Sequence, residues 1–302
     1  MLENIEFIIP CAGKSTRNYP QSKGIAHKSL LPFGSVRLID HVLKQIFEAG
    51  GRYVTLVCSN QETIDNFKEA LAPCPDIEAK LREKGRASIA DALKSTEIPA
   101  DARIQYVIQK KPLGTAHVLG LAHRLSKDKH ACMIFPDDIY IDKDPKNGHL
   151  KKMLDTFLID EKQILLTGIW QEDVRNNAII DKGRLIEKPL NPSNNIGGFS
   201  PMMIPKPILD YMESKVDGLE DGTFKPFLVG NEWVYTDGIN RFLDMQEGLC
   251  SYDLRMFLKD EDDLYMDTGA LPLYEHALLH SLLFLSVYKE KHMKYIKDIL
   301  GK

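Results

Sequence analysis

The chain has 302 residues, 43% of them apolar, which is enough to fill the core of one large domain or two ordinary ones. Its net charge of −4, with both signs interspersed, argues against a nucleic-acid or anionic-membrane partner. No apolar run approaches the roughly 20 residues that span a bilayer. The first residues open directly on a strand rather than a basic-then-apolar leader, so the expectation is a cytoplasmic protein. Five cysteines, Cys11, Cys58, Cys74, Cys132 and Cys250, form no C-x-x-C pair. An odd number in a chain of this size points to reduced thiols rather than a disulfide framework.

Strand-like and helix-like segments alternate from the start. Ile5–Pro10 is an apolar strand that runs into Cys11-Ala12-Gly13-Lys14-Ser15-Thr16-Arg17, a loop of small residues and cations. Such loops hold phosphate, because small side chains let backbone N–H groups approach the oxygens. Val36 to Gly50 places Ile39, Val42, Leu43, Ile46 and Phe47 on one helical face, with Gly50-Gly51 ending it. Tyr53–Cys58 predicts a buried strand, Gln61–Leu71 a helix, and residues 73–103 an irregular helical excursion. Ile104–Gln109 is a strand, Thr115–Ser126 a helix, and Ala131–Pro136 a strand followed by Asp137-Asp138. This order predicts an α/β fold with a doubly wound, mainly parallel sheet and right-handed crossovers. Ligands of such sheets bind beyond the carboxyl ends of the strands. The Ala12–Arg17 loop, the Gln109–Thr115 loop and Asp137 all fall there.

The second half is less regular. Gln163–Ile169 predicts a strand, and Asn177–Asp181 with Arg184–Ile186 a hairpin. Turns rich in proline follow around Pro189, Pro192, Pro201, Pro205 and Pro207. Pro272–Leu300 reads as mostly helical, with wide apolar coverage that suits either a subunit interface or packing on its own domain. No linker or internal repeat divides the chain.

Gly13-Lys14-Ser15 imitates the end of a P-loop. That motif needs a further Gly five residues earlier, where Ile8 stands inside the strand. Pro20 would also disrupt the helix that must begin at the Lys.

A different pattern uses more residues. Ala12-Gly13-Lys14-Ser15-Thr16-Arg17-Asn18-Tyr19-Pro20, then Lys23, then Lys28-Ser-Leu-Leu-Pro32, resembles the A-G-x-G-T-R-x-x-P and P-K-x-L-L-P signature of the sugar-1-phosphate nucleotidylyltransferases. Gln109-Lys-Lys-Pro-Leu-Gly114-Thr115, Asp137, Ile186-Glu-Lys-Pro189, Glu232 with Thr236-Asp237, and Tyr265-Met-Asp267-Thr-Gly269 resemble later family segments in the right order. The resemblance runs along nearly the whole chain and is greatest to the bacterial UTP–glucose-1-phosphate uridylyltransferase (UDP-glucose pyrophosphorylase) subgroup.

The resemblance implies a Rossmann-like single nucleotidyltransferase domain over 1–302. Residues 1–140 would be a nucleotide-binding half, 141–270 a sugar-binding half with a small β-hairpin, and 271–302 a C-terminal helical segment. The implied reaction is in-line attack of a sugar 1-phosphate on the α-phosphorus of a nucleoside triphosphate, UTP first among them, releasing pyrophosphate. The attacking phosphate is already anionic, so catalysis is positioning and charge neutralisation. Arg17 would grip the triphosphate, Lys28 the reacting phosphates, and Lys188 the sugar phosphate. Ala12, Gly13, Lys14, Gln109, Gly114 and Thr115 would bind the nucleotide. Glu187, Asn177 and Gly198 would face the sugar. Asp137 and Asp267 would hold Mg²⁺, with Asp138 a competing carboxylate. His117 and His123 read as structural. A homo-oligomer, dimer or tetramer, is also implied.

Several residues depart from the family pattern. Ser15 replaces a glycine, which predicts a loop less free to take a positive φ. His27 stands where a proline is usual. Asn177-Ala178 replaces Tyr-Gly, and Gly197-Gly198 are displaced. These changes cluster around the sugar pocket and the first loop. Glucose 1-phosphate is the implied sugar substrate, and the altered residues leave another sugar open. Uracil and thymine differ by one methyl, worth about 1–3 kcal/mol, so the sequence leaves a thymidylyltransferase open too. A non-catalytic nucleotide-sugar-binding paralogue is the alternative from another class.

Overall fold

The computed structural model describes residues 2–144, 147–246 and 251–300, so Cys250 lies outside them. Strand β1 (Ile5–Cys11) has six of its seven residues buried. A small hairpin, β2 (Pro32–Phe33) and β3 (Val36–Arg37), leads into helix α1 (Leu38–Glu48). Val36 and Arg37 were expected in the helix. Instead they pair with Pro32 and Phe33, and the Arg37 N–H donates to Asp40 Oδ2 at 2.9 Å to cap the helix start. The predicted stripe of α1, from Ile39 to Ile46, is buried.

Then come β4 (Tyr53–Cys58), α2 (Gln61–Ala70), α3 (Pro75–Glu83), α4 (Ala87–Lys94), β5 (Arg103–Ile108), α5 (Thr115–His123) and β6 (His130–Met133). The excursion at 73–103 is largely exposed, with Ala90 the buried residue of its two helices. Strand β6 stops earlier than expected, and Ile134–Pro136 leave the sheet toward the cavity described below.

The second half continues with β7 (Asp138–Ile141), α6 (His149–Ile159), β8 (Gln163–Trp170), β9 (Ala178–Asp181), β10 (Arg184–Glu187) and β11 (Ile196–Ile204). It ends with α7 (Lys206–Asp221), α8 (Tyr235–Met245), β12 (Asp253–Leu258), β13 (Leu264–Asp267), α9 (Leu271–Phe284) and α10 (Lys289–Leu300). The expected β9–β10 hairpin turns through Lys182 at φ 46° and Gly183 at φ 75°, the positive pair that a two-residue type I′ turn requires.

A nine-stranded sheet runs β10-β9-β11-β6-β1-β4-β5, with β8 on β11 and β12 on β8. Strands β5, β4, β1 and β6 are parallel, as expected. The second half adds antiparallel partners, since β11 runs against β6, β8 and β9. The proline-rich reading missed β11 because Pro201 lies inside it. Proline lacks an N–H for the ladder, and the register shifts between Phe199 and Met202. Strand β1 alternates between two cores: Ile5, Phe7 and Ile9 pack on the α1 side, and Ile8 on the α5, α7 and α8 side. Two-sided burial explains its unbroken apolar run.

The C-terminal helix is interrupted between Phe284 and Lys289, where the Gly34-Ser35 loop docks. The Gly34 N–H donates to Ser281 Oγ at 2.8 Å, and the Val287 N–H donates to Ser35 Oγ at 3.0 Å. Leu273, Leu279 and Phe284 of α9 stay exposed. The four described cysteines are free. Among the described residues no helix is long and apolar enough to cross a membrane.

His149 begins α6, its ring stacked on Tyr140 and its Nε2 paired with Thr167 Oγ1 at 2.9 Å. Burial pushes this imidazole down to about 4, against 6.5 for the unfolded chain. The folded state therefore holds it neutral. Its stabilisation is complete above about pH 6.5 and is lost as pH falls toward 4. Unfolding free energies from denaturant titration should decline over that window, and His149→Gln should flatten the decline; an unchanged profile would clear His149 of the effect. Gly114 has φ +101°, and a β-carbon there would lie 2.4 Å from the carbonyl oxygen of buried Trp233. Gly114→Ala should cost about 2–4 kcal/mol in the same measurement, and a cost below about 0.5 kcal/mol would contradict this packing.

Candidate active site

A cavity of about 440 Å³ opens at the carboxyl ends of β1, β5 and β6. Its first wall is the loop after β1. Ser15 adopts φ 54°, ψ 25°, so the expectation that serine restricts this loop is overturned. The hydroxyl explains why: Ser15 Oγ accepts from the Lys28 N–H at 2.9 Å, and its carbonyl accepts from Ser22 Oγ at 2.9 Å. A short 3₁₀ turn, Thr16–Asn18, follows in place of the α-helix a P-loop needs. Ala12, Gly13 and Arg17 line the cavity. Lys14 is exposed and outside the lining.

His27 caps the turn Lys28–Leu30, accepting from the Ser29 N–H at Nδ1. Burial, then the Lys28 charge, lowers its imidazole to about 4. At φ −157° the backbone here is one that a proline ring forbids, so the neutral imidazole fixes the turn by hydrogen bonding instead. Lys28 Nζ pairs with Asp137 Oδ2, joining the first loop to the end of β6.

Asp267 ends β13, which pairs antiparallel with β7 so that Asp267 faces Asp138. Thr268 N–H donates to the Asp137 carbonyl at 2.8 Å, and Asn18 Nδ2 donates to the Thr268 carbonyl at 3.0 Å. These bonds bring three distant segments to one point. A β-carbon placed on Gly269 would sit 2.7 Å from Asp137 Oδ2, 2.9 Å from Asp267 Oδ1 and 3.7 Å from Arg17 Nη2. Two carboxylate oxygens and a guanidinium therefore converge over a residue that has no side chain. Burial, opposed by the Gly269 N–H, raises the Asp267 carboxyl above the usual range, and the Asp137 charge adds to this. Asp138 also lines the cavity, but its carboxylate is bonded to the protein. It is buried, bonded to Ser200 and Tyr265, and pushed up to about 7 by desolvation and by Asp137.

Gln109 also lines the cavity. Its Nε2 is engaged, donating to the Gly114 carbonyl at 3.1 Å and pairing with His117 Nδ1. Its carboxamide oxygen takes part in neither bond. His117 also pairs with Glu220 of α7, and His123 with Asp210, so both histidines tie helices together. Thr115 Oγ1 accepts from the Tyr235 N–H at 2.8 Å, which seats α8 on the loop.

A further part of the lining comes from the β9–β10 hairpin and β11. Asn177, Ala178, Glu187, Lys188 and Gly198 all line the cavity. Ala178 pairs with both Glu187 and Gly198. Lys188 takes φ 47° and its N–H donates to the Asn177 carbonyl. Glu187 Oε2 accepts from Thr236 Oγ1 at 3.3 Å, and burial raises its carboxyl. Glu232 lines the cavity as well. Sequence reasoning missed Asn176, Phe199 and Tyr235, which also line it. Tyr235 directly precedes Thr236-Asp237 and was within reach of that motif. Phe199 was hidden in the proline-rich stretch.

Residues 7–200 match the family model described as nucleotidyl transferase. Over 177 residues the chain is 28% identical to UTP–glucose-1-phosphate uridylyltransferase YngB of Bacillus subtilis, covering 58% of this chain and 56% of that one. Over 261 residues it is 26% identical to a second UTP–glucose-1-phosphate uridylyltransferase of that organism, covering 82% of each. In shape it resembles a UDP-glucose pyrophosphorylase from Acinetobacter baumannii, with TM-score 0.75, 18% identity and coverage of 97% and 99%. A UTP-bound form from the same organism gives TM-score 0.74 at 19% identity, covering 96% and 98%. At such identities the structural likeness shows the fold. The family match runs from β1 into β11 and takes in the loops after β1 and β5 and Asp137, and on that match the chain belongs to the nucleotidyl transferase family.

Proposed function

We propose that the chain joins UTP and glucose 1-phosphate to give UDP-glucose and pyrophosphate. The observation that carries this reading is one cavity lined by two charged groups. Arg17, Lys28, Asp137 and Asp267 gather around Gly269 and the Lys28–Asp137 pair, and Glu187 and Lys188 line the same cavity from the hairpin. An oxygen of the sugar phosphate attacks the α-phosphorus, and the bond from that phosphorus to the bridging oxygen of the β-phosphate breaks. The leaving pyrophosphate takes the electron pair. No proton need move, so the residues serve to hold and neutralise. Arg17 offers a planar donor fork to the triphosphate. Lys28 exchanges its partner Asp137 for phosphate oxygens. Lys188 holds the sugar phosphate against repulsion from the nucleotide, and Glu187 accepts from sugar hydroxyls. Gln109 pairs with the pyrimidine edge. The curated relatives named above support uracil and glucose as the choices.

The paired oxygens over Gly269 fit a Mg²⁺ ion, which takes few protein ligands and completes its shell with water and phosphate. Asp137 and Asp267 would hold it, and it would supply charge neutralisation on the phosphate oxygens.

Pyrophosphate release from UTP and Mg²⁺, assayed with a panel of sugar 1-phosphates, should be fastest with glucose 1-phosphate. Ala178 adds a methyl to the hairpin side of the lining, and faster turnover of another sugar phosphate would reassign the sugar. Release with none of them would leave a non-catalytic binder. Asp137→Asn and Asp267→Asn should each lower turnover by about 10²-fold or more, with circular dichroism unchanged. Gly269→Ala, which puts a methyl between the two carboxylates, should do the same; wild-type rates in these variants would sink the metal assignment.

A further inference from the structure

We propose that Asp138 is a positioning residue whose two carboxylate oxygens set the separation of Asp137 and Asp267; this rests on the metal reading of that pair. The carboxylate is buried beside a second carboxylate, an arrangement that is costly unless its oxygens are satisfied. They are. Oδ2 accepts from the Ser200 N–H at 3.0 Å and the Ser200 hydroxyl at 2.8 Å. Oδ1 accepts from the Tyr265 hydroxyl at 2.8 Å. Ser200 Oγ in turn accepts from the Phe135 N–H at 2.9 Å.

One side chain thus joins the turn before Asp137, strand β11 and strand β13. Tyr265 lies two residues before Asp267, and Asp138 directly follows Asp137. The clamp therefore acts on both carboxylate-bearing segments within two residues of each. Both oxygens accept from protein donors, so the geometry assigns Asp138 to positioning although it also lines the cavity. Asparagine offers a single acceptor oxygen, so Asp138→Asn must turn an NH₂ toward either Ser200 or Tyr265. Groups that orient metal ligands typically change metal affinity by about 10–100-fold when removed.

The test is Mn²⁺ affinity of the full chain with UTP present, read by electron paramagnetic resonance. Wild type should bind, and Asp137→Asn should not. Asp138→Asn should bind about 10–100-fold more weakly and need correspondingly more metal for half-maximal turnover. Tyr265→Phe, which keeps the ring, should weaken binding by a smaller factor. Mn²⁺ affinity within twofold of wild type in Asp138→Asn overturns the proposal. So does complete loss there with Tyr265→Phe unaffected, which would make Asp138 a ligand. If Asp138→Asn does not fold, Tyr265→Phe decides, and unchanged affinity in it overturns the clamp. A wild type that binds no Mn²⁺, or whose binding survives Asp137→Asn, overturns the metal reading itself and this inference with it.

Discussion

The rest of the structure depends on strand β1 being buried from both sides. Its residues alternate between two separate cores, so neither face can shift register without exposing apolar surface. Its neighbours β4 and β6 are held parallel to it, with Cys11 level with Cys58 and Ile8 level with Met133. The strand ends therefore form a common edge. The loop after β1, the segment after β6 and the loop after β5 all leave from that edge, and each brings charged or amide groups to the same cavity.

That edge collects charges that would repel one another in isolation. Asp137 and Asp267 are held close, and Arg17 and Lys28 stand beside them. The Lys28–Asp137 pair spans 109 residues of sequence and is mostly shielded from water. A pair of this kind adds little net stability, because desolvation offsets the attraction. Its value lies in placement: each charge stands ready for a ligand of the opposite sign. Serine and histidine at positions 15 and 27 fix the loop through side-chain hydrogen bonds, Ser15 at a positive φ and His27 at the start of the Lys28–Leu30 turn.

Much of the fold was legible in local pattern. The stripe of α1 repeats at the helical period, and β4 and β5 stand out as short runs rich in strand-forming residues. Reading failed where such a pattern was broken. Pro201 concealed β11, and the pairing of Val36-Arg37 with Pro32-Phe33 shortened a helix whose apolar spacing continued past its true start. The break in the C-terminal helix depends on a loop some 250 residues away docking into it.

The sequence by itself determined the alternation of strands and helices in the first half, the loop of small residues and cations at Ala12–Arg17 and the set of charged residues available for chemistry. Those depend on neighbours in the chain: periodicity, turn residues and short spacings. Only the tertiary structure decided that Lys14 lies outside the cavity lining while Arg17 and Lys28 converge, and that Asp138 is bonded to Ser200 and Tyr265 while Asp137 pairs with Lys28. It also showed that Gln109 spends its amide nitrogen within the protein. These are choices between adjacent or chemically equal groups. Local sequence does not separate them, because what distinguishes them is a partner brought close by the sheet: Ser200 and Tyr265 for Asp138, Asp137 for Lys28, His117 for Gln109.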